Sequence, residues 1–157
     1  MSHTVTVRTA TVTTSTSAII INTGFMKTYR GALKLLELIL GIVCVVLVWM
    51  ARGSSYYHSE HLFFLLMATT FAIATFAIVL SCLLSISTDS ILSKTIFEPI
   101  YHAIAFALVF AASINLLVKT QNNNRDELLL IASILGTING VLYLFSTILG
   151  SRSYRGL

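Results

Sequence analysis

Glu37 is the residue of this sequence with the clearest chemical potential, because it is an acid within a long apolar segment. It lies about four residues inside that segment, which is roughly 6 Å deep at 1.5 Å per residue. An ionisable side chain at such a depth indicates a functional site by default. Three roles remain open: a contact with another membrane span, extension of the carboxylate to the headgroups, and handling of a proton or ion.

Two residues of a later apolar segment are candidate partners for this acid. If Tyr101 and His102 begin a span on the same side of the membrane, either could contact Glu37 and hold the first span to the third. Lys34, three residues before Glu37, is a local partner on the same helix face. Asn115 is a further intramembrane polar residue of the third span.

Other groups in the sequence indicate chemistry only weakly. His58 and His61, with Glu60 between them, have a spacing that suits a metal, but structural metal sites usually take four ligands and no fourth is near. An interfacial position beside two tyrosines explains them better. Since the sequence has no glycine-rich phosphate loop and no nucleophile–histidine–acid set, it predicts a non-enzymatic protein without cofactor or metal.

Two motifs suggest modification or sorting. Cys82 lies near the end of an apolar segment, where a cysteine can be palmitoylated, although an inert buried thiol is the alternative. Tyr154 and Leu157 end the chain in the form Tyr-x-x-apolar, which is the form of a tyrosine sorting signal. The tail is so short that an adaptor would have little room above the membrane.

Four apolar segments must position these residues. The chain has 157 residues, of which 56% are hydrophobic and 10% charged, whereas soluble domains have about 25% charged residues. A helical span needs about 20 apolar residues. The sequence therefore predicts an all-α, up-down, four-helix transmembrane bundle with spans at about 33–51, 62–84, 99–118 and 128–149.

The basic residues predict the orientation of this bundle. Seven of them fall on the side of the two termini: Arg8, Lys27, Arg30, Lys34, Lys94, Arg152 and Arg155. Three fall on the other side: Arg52, Lys119 and Arg125. Because positive residues favour the cytosolic side, both termini are predicted to be cytosolic. The net charge of +4 is thus explained by topology and by anionic headgroups, and we expect no nucleic-acid partner.

The remaining segments frame this domain. Residues 1–26 are rich in Thr and Ser and are predicted to form a disordered cytosolic tail. Residues 27–150 form the four-span domain, with a loop at 85–97. Residues 151–157 form a second short cytosolic tail.

Small and polar residues predict the helix-packing faces, because water drives no helix association inside lipid. In the fourth span these residues share one stripe with Thr147 and include a Gly-x-x-x-Gly pair: Ser133, Gly136, Asn139, Gly140 and Tyr143. Ile134, Ile138, Val141, Phe145 and Ile148 lie opposite and are expected to face lipid. In the third span, Ala103, Ala107 and Ala111 recur every four residues. These faces fit packing within one bundle or, alternatively, a homo-oligomer seam through the two glycines.

The first span has a pattern that resembles a known family. In TGFMKTYRGALKLLELILGIVCVVLVW, Gly31 is followed by Leu33-Lys34 and Leu36-Glu37 and then by an uninterrupted apolar run. This pattern is similar to the start of MARVEL-domain proteins, in the branch of MAL and the chemokine-like-factor transmembrane proteins. The Thr-rich tail and short first loop most resemble small arthropod members of that branch, which include a protein of myoblast fusion.

The resemblance covers about residues 27–149 and implies a membrane-organising function. Such roles include vesicle trafficking, membrane apposition, junctions and cell fusion, at the plasma membrane or on vesicles of the secretory and endocytic system. The implied partners are membrane lipids, further copies of the chain or other membrane proteins. Two alternatives stay open: a small channel or transporter, or an accessory subunit of one, and a trafficking adaptor that acts through its cytosolic tails.

Overall fold

A computed structural model of the chain describes residues 23–51, 59–123 and 126–156, and all regular structure in these ranges is helical. In chain order the helices are α1 Thr23–Lys27, α2 Tyr29–Met50, α3 Ser59–Leu84, α4 Ile86–Leu92, α5 Phe97–Asn123 and α6 Glu127–Tyr154. The shortest of the four long helices, α2, has 22 residues and is therefore about 33 Å long, enough to cross a hydrocarbon core of about 30 Å. The predicted four-helix transmembrane fold is confirmed.

The four long helices form a closed bundle. Helix α2 packs against α3 and α6, and α5 packs against the same two neighbours. A guanidinium nitrogen of Arg30, at the start of α2, donates to the carbonyl oxygen of Leu149, near the end of α6, at 3.4 Å. The two described ends of the chain therefore lie at one end of the bundle, which we name the terminal side; the end where α3 and α6 begin is the opposite side.

The terminal side contains two short helices that the sequence did not predict. Residues 23–26 belong to α1 and not to a disordered tail, because Phe25 is buried against α3. Gly31 permits this turn, since a Cβ atom there would overlap the carbonyl oxygen of Phe25. Thr28 caps α2 by accepting a hydrogen bond from the Gly31 amide at 3.1 Å. The predicted loop 85–97 contains α4, which Ser85 caps in the same way.

The buried face of α6 follows a seven-residue repeat. Seven of its nine buried residues are spaced alternately by three and four: Leu129, Ala132, Gly136, Asn139, Tyr143, Ser146 and Gly150. The other two, Ser133 and Gly140, each directly follow one of these. This period is typical of helices that cross at a shallow angle in a left-handed bundle. It explains why Ser146, and not the predicted Thr147, continues the stripe. The five predicted lipid-facing residues, from Ile134 to Ile148, are all exposed on the outer surface of the bundle, as expected.

The packing face predicted for α5 is wrong. Ala107 and Ala111 lie on the outer surface and Ala103 is only partly covered. The alanines that contact the other helices are Ala105 and Ala112, both fully buried. They share a face of α5 with buried polar residues near each end of the helix. The face that packs inside the bundle is therefore the one that buries those polar groups, and not the one on which alanines recur every four residues.

The half of the bundle nearer the opposite side has an apolar core. Its buried residues come from all four long helices: Cys44, Val48, Phe64, Ala68, Ala112, Leu116, Leu129 and Ala132. Lys119 and Glu60, whose charged groups are 3.2 Å apart, join α5 to α3 at the exposed edge of this half. Buried ionisable side chains are concentrated instead in the half nearer the termini.

Candidate functional site

Five charged or polar side chains meet inside the terminal half of the bundle, and we name them the polar cluster. Helix α2 provides Lys34 and Glu37, α5 provides Glu98 and His102, and α6 provides Ser146. All five are buried in the structure. The two residues of α2 are three positions apart and the two residues of α5 are four apart, so the members of each pair project from one face of their helix. The cluster therefore joins three of the four spans through polar groups.

The first contact of the cluster is a buried ion pair. The ammonium nitrogen of Lys34 lies 2.6 Å from Oε1 of Glu98, with both side chains almost fully enclosed. The same ammonium lies 5.8 Å from the centre of the Phe25 ring, within range of a cation–π interaction. The structure thus pairs Lys34 with α5 rather than with Glu37 of its own helix, and the segment before α2 helps to cover the charge.

The second contact is centred on Glu37, whose side chain has no solvent exposure. The hydroxyl of Ser146 donates to Oε1 of Glu37 at 2.5 Å, which links α6 to α2. Nδ1 of His102 lies 3.7 Å from Oε2 of Glu37, too far for a hydrogen bond but close enough for an electrostatic contact. The structure therefore brings together Glu37 and His102, the pair that the sequence singled out.

A hydroxyl network continues the cluster to the fourth long helix. The hydroxyl of Thr75, on α3, lies 2.8 Å from that of Tyr101 on α5 and 2.9 Å from that of Tyr143 on α6. Tyr101 also donates to the carbonyl oxygen of Phe71 at 3.3 Å. Tyr101 therefore binds α3 and not Glu37, and its ring packs edge-on against His102 at 5.0 Å. Together, the cluster and this network connect all four spans.

Several buried atoms of the cluster lack a hydrogen-bond partner within the described residues: Oε2 of Glu37, Oε2 of Glu98, and both ring nitrogens of His102. Such atoms are rare in folded proteins and mark sites where a proton, a water molecule or a ligand belongs. In the part of the chain that the structure describes, no three His, Cys, Asp or Glu side chains converge as metal ligands. Of the proposed loop ligands, His58 lies outside the described residues.

The glycines of α6 lie at close contacts between helices of the same bundle. A Cβ atom on Gly136 would lie 2.5 Å from Oγ of Ser113 and 2.6 Å from the ring of Phe64, and one on Gly140 would lie 3.1 Å from Phe110. These faces are covered by α3 and α5 of the same chain, so they offer no seam to a second copy. Ser133 and Tyr143 are buried on the same stripe.

The two intramembrane asparagines have different surroundings. Asn139 is buried beside Gly41, and its side-chain oxygen has no donor among the described residues. Asn115 instead lies on the outer surface of α5. Among the described residues, the side-chain oxygen of Asn139 therefore lacks the expected partner, and Asn115 lies outside the polar core.

The modification motifs differ in accessibility. Cys82 has 0% exposure and is buried with Phe25 and Val79, so its palmitoylation, which stays a prediction, would require these residues to move apart. Tyr154 is the last residue of α6 and is half exposed, while Leu157 lies outside the described residues. The sorting signal therefore stays a prediction.

Sequence reasoning missed three members of the site. Glu98, one residue before the predicted start of the third span, was not considered as a partner of Lys34 or Glu37. Thr75 and Ser146 gave no individual signal, since hydroxyl side chains in apolar helices commonly bond their own backbone. The spacing of Glu98 and His102, four residues apart on one helix face, was the signal that could have found the first of these.

Comparison with known protein families gives one match. The family model for MARVEL, described as a membrane-associating domain, matches residues 25–149. Searches of curated proteins and of solved structures found no match. The matched range begins at the buried Phe25, within α1, and ends at Leu149, five residues before the end of α6, so it covers most of the bundle. With four membrane-spanning helices and a match over most of its length, the chain belongs to the MARVEL family of membrane-associating domains.

Proposed function

We propose that this chain is a non-enzymatic organiser of membranes that acts where two membranes come close, at cell contacts or on trafficking vesicles. One observation supports this most: the opposite side has no space for a folded domain. Residues 52–58 and 124–125 are all that lie between the described segments there. Independent folding usually requires about 40 residues or more. Two membranes that hold this protein could therefore approach without a steric barrier from it.

A spacer inserted on the opposite side tests this function. A folded domain of about 100 residues, some 30 Å across, would be placed between Asn124 and Arg125, and the matched control would have the same domain after Leu157. We expect the control to remain enriched at contact membranes or vesicles and the loop insertion to lose contact enrichment while still reaching the membrane. Equal enrichment of both fusions would contradict a role in apposition.

A channel or transporter is the second candidate, and the buried polar cluster is the observation in its favour. A conduction path requires polar groups at successive depths. Beyond Thr75 and Asn139, the core toward the opposite side is the apolar group around Phe64 and Leu116. The buried hydroxyls there, those of Ser113, Thr120 and Ser133, donate to carbonyl oxygens of their own helices and do not face a shared path. We therefore expect proteoliposomes of the wild-type chain to show the same proton and potassium flux as empty liposomes. Flux that disappears in Glu37→Gln would favour the transport function instead.

Lateral assembly belongs to the proposed function, and the outer face of α5 is the surface we propose for it. Ala107 and Ala111 permit close approach of another helix, and Asn115 exposes an amide to lipid on the same face. An amide both donates and accepts, so two copies of Asn115 can pair across a two-fold axis. A second copy of this chain is thus the occupant we propose.

Cross-linking in native membranes tests this surface. We expect Asn115→Val to reduce the cross-linked dimer several-fold, because the intermolecular amide pair is lost. Ile138→Val, on the outer face of α6, is the control that should leave the dimer unchanged. Equal dimer in both variants would exclude this face of α5.

A further inference from the structure

A crevice on the terminal side lies between α2 and α6 and reaches the polar cluster. It is closed in this structure, with no space for a water-sized molecule, and is lined by Arg30, Leu33, Lys34, Glu98, Ser146 and Leu149. Its mouth lies on the flank of the bundle within one turn of the start of α2. That position corresponds to the headgroup level of the membrane.

The rim of the crevice provides an available cation. Arg30 forms no ion pair with any described carboxylate. Its one hydrogen bond runs across the crevice to the carbonyl oxygen of Leu149 and is long, at 3.4 Å. A guanidinium held this weakly can turn outward, which opens the crevice, and bind a phosphate through two parallel hydrogen bonds.

The floor of the crevice provides an anion that lacks a donor. Oε1 of Glu98 binds Lys34, but Oε2 has no hydrogen-bond partner within the described chain, although the side chain is only 4% exposed. A buried carboxylate oxygen without a donor is costly. A ligand that brings an N–H group to this oxygen would remove the cost.

The two groups line the same crevice. Lys34, whose ammonium contacts Glu98, follows Arg30 by four residues on α2, which is about 6 Å along the helix axis. A ligand that satisfies both must have an anion and an N–H-bearing cation joined by a short linker. Phosphoethanolamine has this chemistry, whereas the trimethylammonium of choline has no N–H to donate.

We propose that this crevice binds the headgroup of an ethanolamine phospholipid, with its phosphate on Arg30 and its primary ammonium on Oε2 of Glu98. This inference goes beyond the membrane-organising function proposed above. Its test uses the purified chain, so the result on headgroup selectivity is independent of the result on the role at membrane contacts.

Lipid retention by the purified full chain in mild detergent tests the proposal. Native mass spectrometry would compare ethanolamine, N,N-dimethylethanolamine and choline phospholipids with identical acyl chains. One charge-assisted hydrogen bond corresponds to a preference of about tenfold or more. We expect ethanolamine lipid to be retained over choline lipid by about that factor, and Arg30→Gln to remove the preference. The matched control, Arg152→Gln, changes a basic residue of the same side outside the crevice and should keep it.

The competing ligands distinguish the sources of this chemistry. Soluble phosphoethanolamine should displace the lipid, and inorganic phosphate at the same concentration should not. Equal competition by the two would reduce the site to a simple anion site and overturn the assignment of Glu98. Equal retention of ethanolamine and choline lipids, or equal effects of Arg30→Gln and Arg152→Gln in variants with wild-type helicity, would overturn the proposal as a whole.

Discussion

Lys34 and Glu98 show what a buried ion pair contributes inside a membrane bundle. Removing both charges from water costs several kcal/mol per ion, and their attraction in the interior offsets much of this. The pair therefore adds little net stability, but any packing that separated the two charges would be strongly disfavoured. We infer that the pair fixes how α2 meets α5 rather than how stable the bundle is.

The residue-scale prediction is that one member of this pair cannot be removed alone. Lys34→Met should lower the free energy of unfolding by about 3–5 kcal/mol, because it leaves the carboxylate of Glu98 buried and unpaired. The double variant Lys34→Met/Glu98→Met should recover most of this loss. Unfolding in mixed micelles, followed by circular dichroism, measures both.

The chain contains its own control for this experiment. Lys119 and Glu60 form a second ion pair between spans, 3.2 Å apart but partly exposed. Water screens such a pair, so Lys119→Met should have a much smaller effect than Lys34→Met. If both substitutions lowered the free energy of unfolding by similar amounts, burial of the Lys34–Glu98 pair would not explain the effect of Lys34→Met.

A second residue-scale prediction concerns the turn that covers Cys82. Gly31→Ala should displace Phe25, whose carbonyl oxygen leaves no room for a Cβ atom, and so expose the thiol below. In a Cys44→Ala background, maleimide labelling of Cys82 should be much faster in Gly31→Ala than in the parent chain. Gly41→Ala, where the new methyl group makes ordinary contacts at 3.4 Å, should label as slowly as the parent. Fast labelling of the parent would mean that α1 does not cover the thiol.

At the scale of the elements, the sequence predicted the four spans because each is a long apolar run with charges at its ends. It predicted the inward face of α6 because glycines and hydroxyls concentrate there. It failed on α5, where Ala103, Ala107 and Ala111 suggested a face but the buried charges determined another. Helix α1 was missed because its position depends on one tertiary contact, that of Phe25.

The element-scale prediction concerns how closely α6 approaches its neighbours. Gly136→Ala should destabilise the bundle by about 1–3 kcal/mol, since the methyl group would overlap Ser113 and Phe64. Gly150→Ala, whose methyl group would lie 3.5 Å from Pro99, should cost far less. Thermal unfolding of the two variants in the same detergent makes the comparison, and equal losses would contradict the close packing of α3, α5 and α6 at Gly136.

At the scale of the whole molecule, the bundle is divided along its axis. The terminal half contains the polar cluster and most of the basic residues, and the other half has an apolar core and short connections. The positive-inside rule predicts that the terminal half faces the cytosol, where anionic headgroups attract basic residues. On this account one side contacts lipid headgroups from within its own membrane, and the other side leaves space for a second membrane.

The gap between membranes at contacts that contain this protein is the measurement that tests this account most directly. Electron cryotomography of cells, with the protein located by a tag after Leu157, would give that gap where the chain is concentrated. The account predicts a separation below about 30 Å, the diameter of a small folded domain. A separation no smaller than at contacts from which the protein is absent would contradict it.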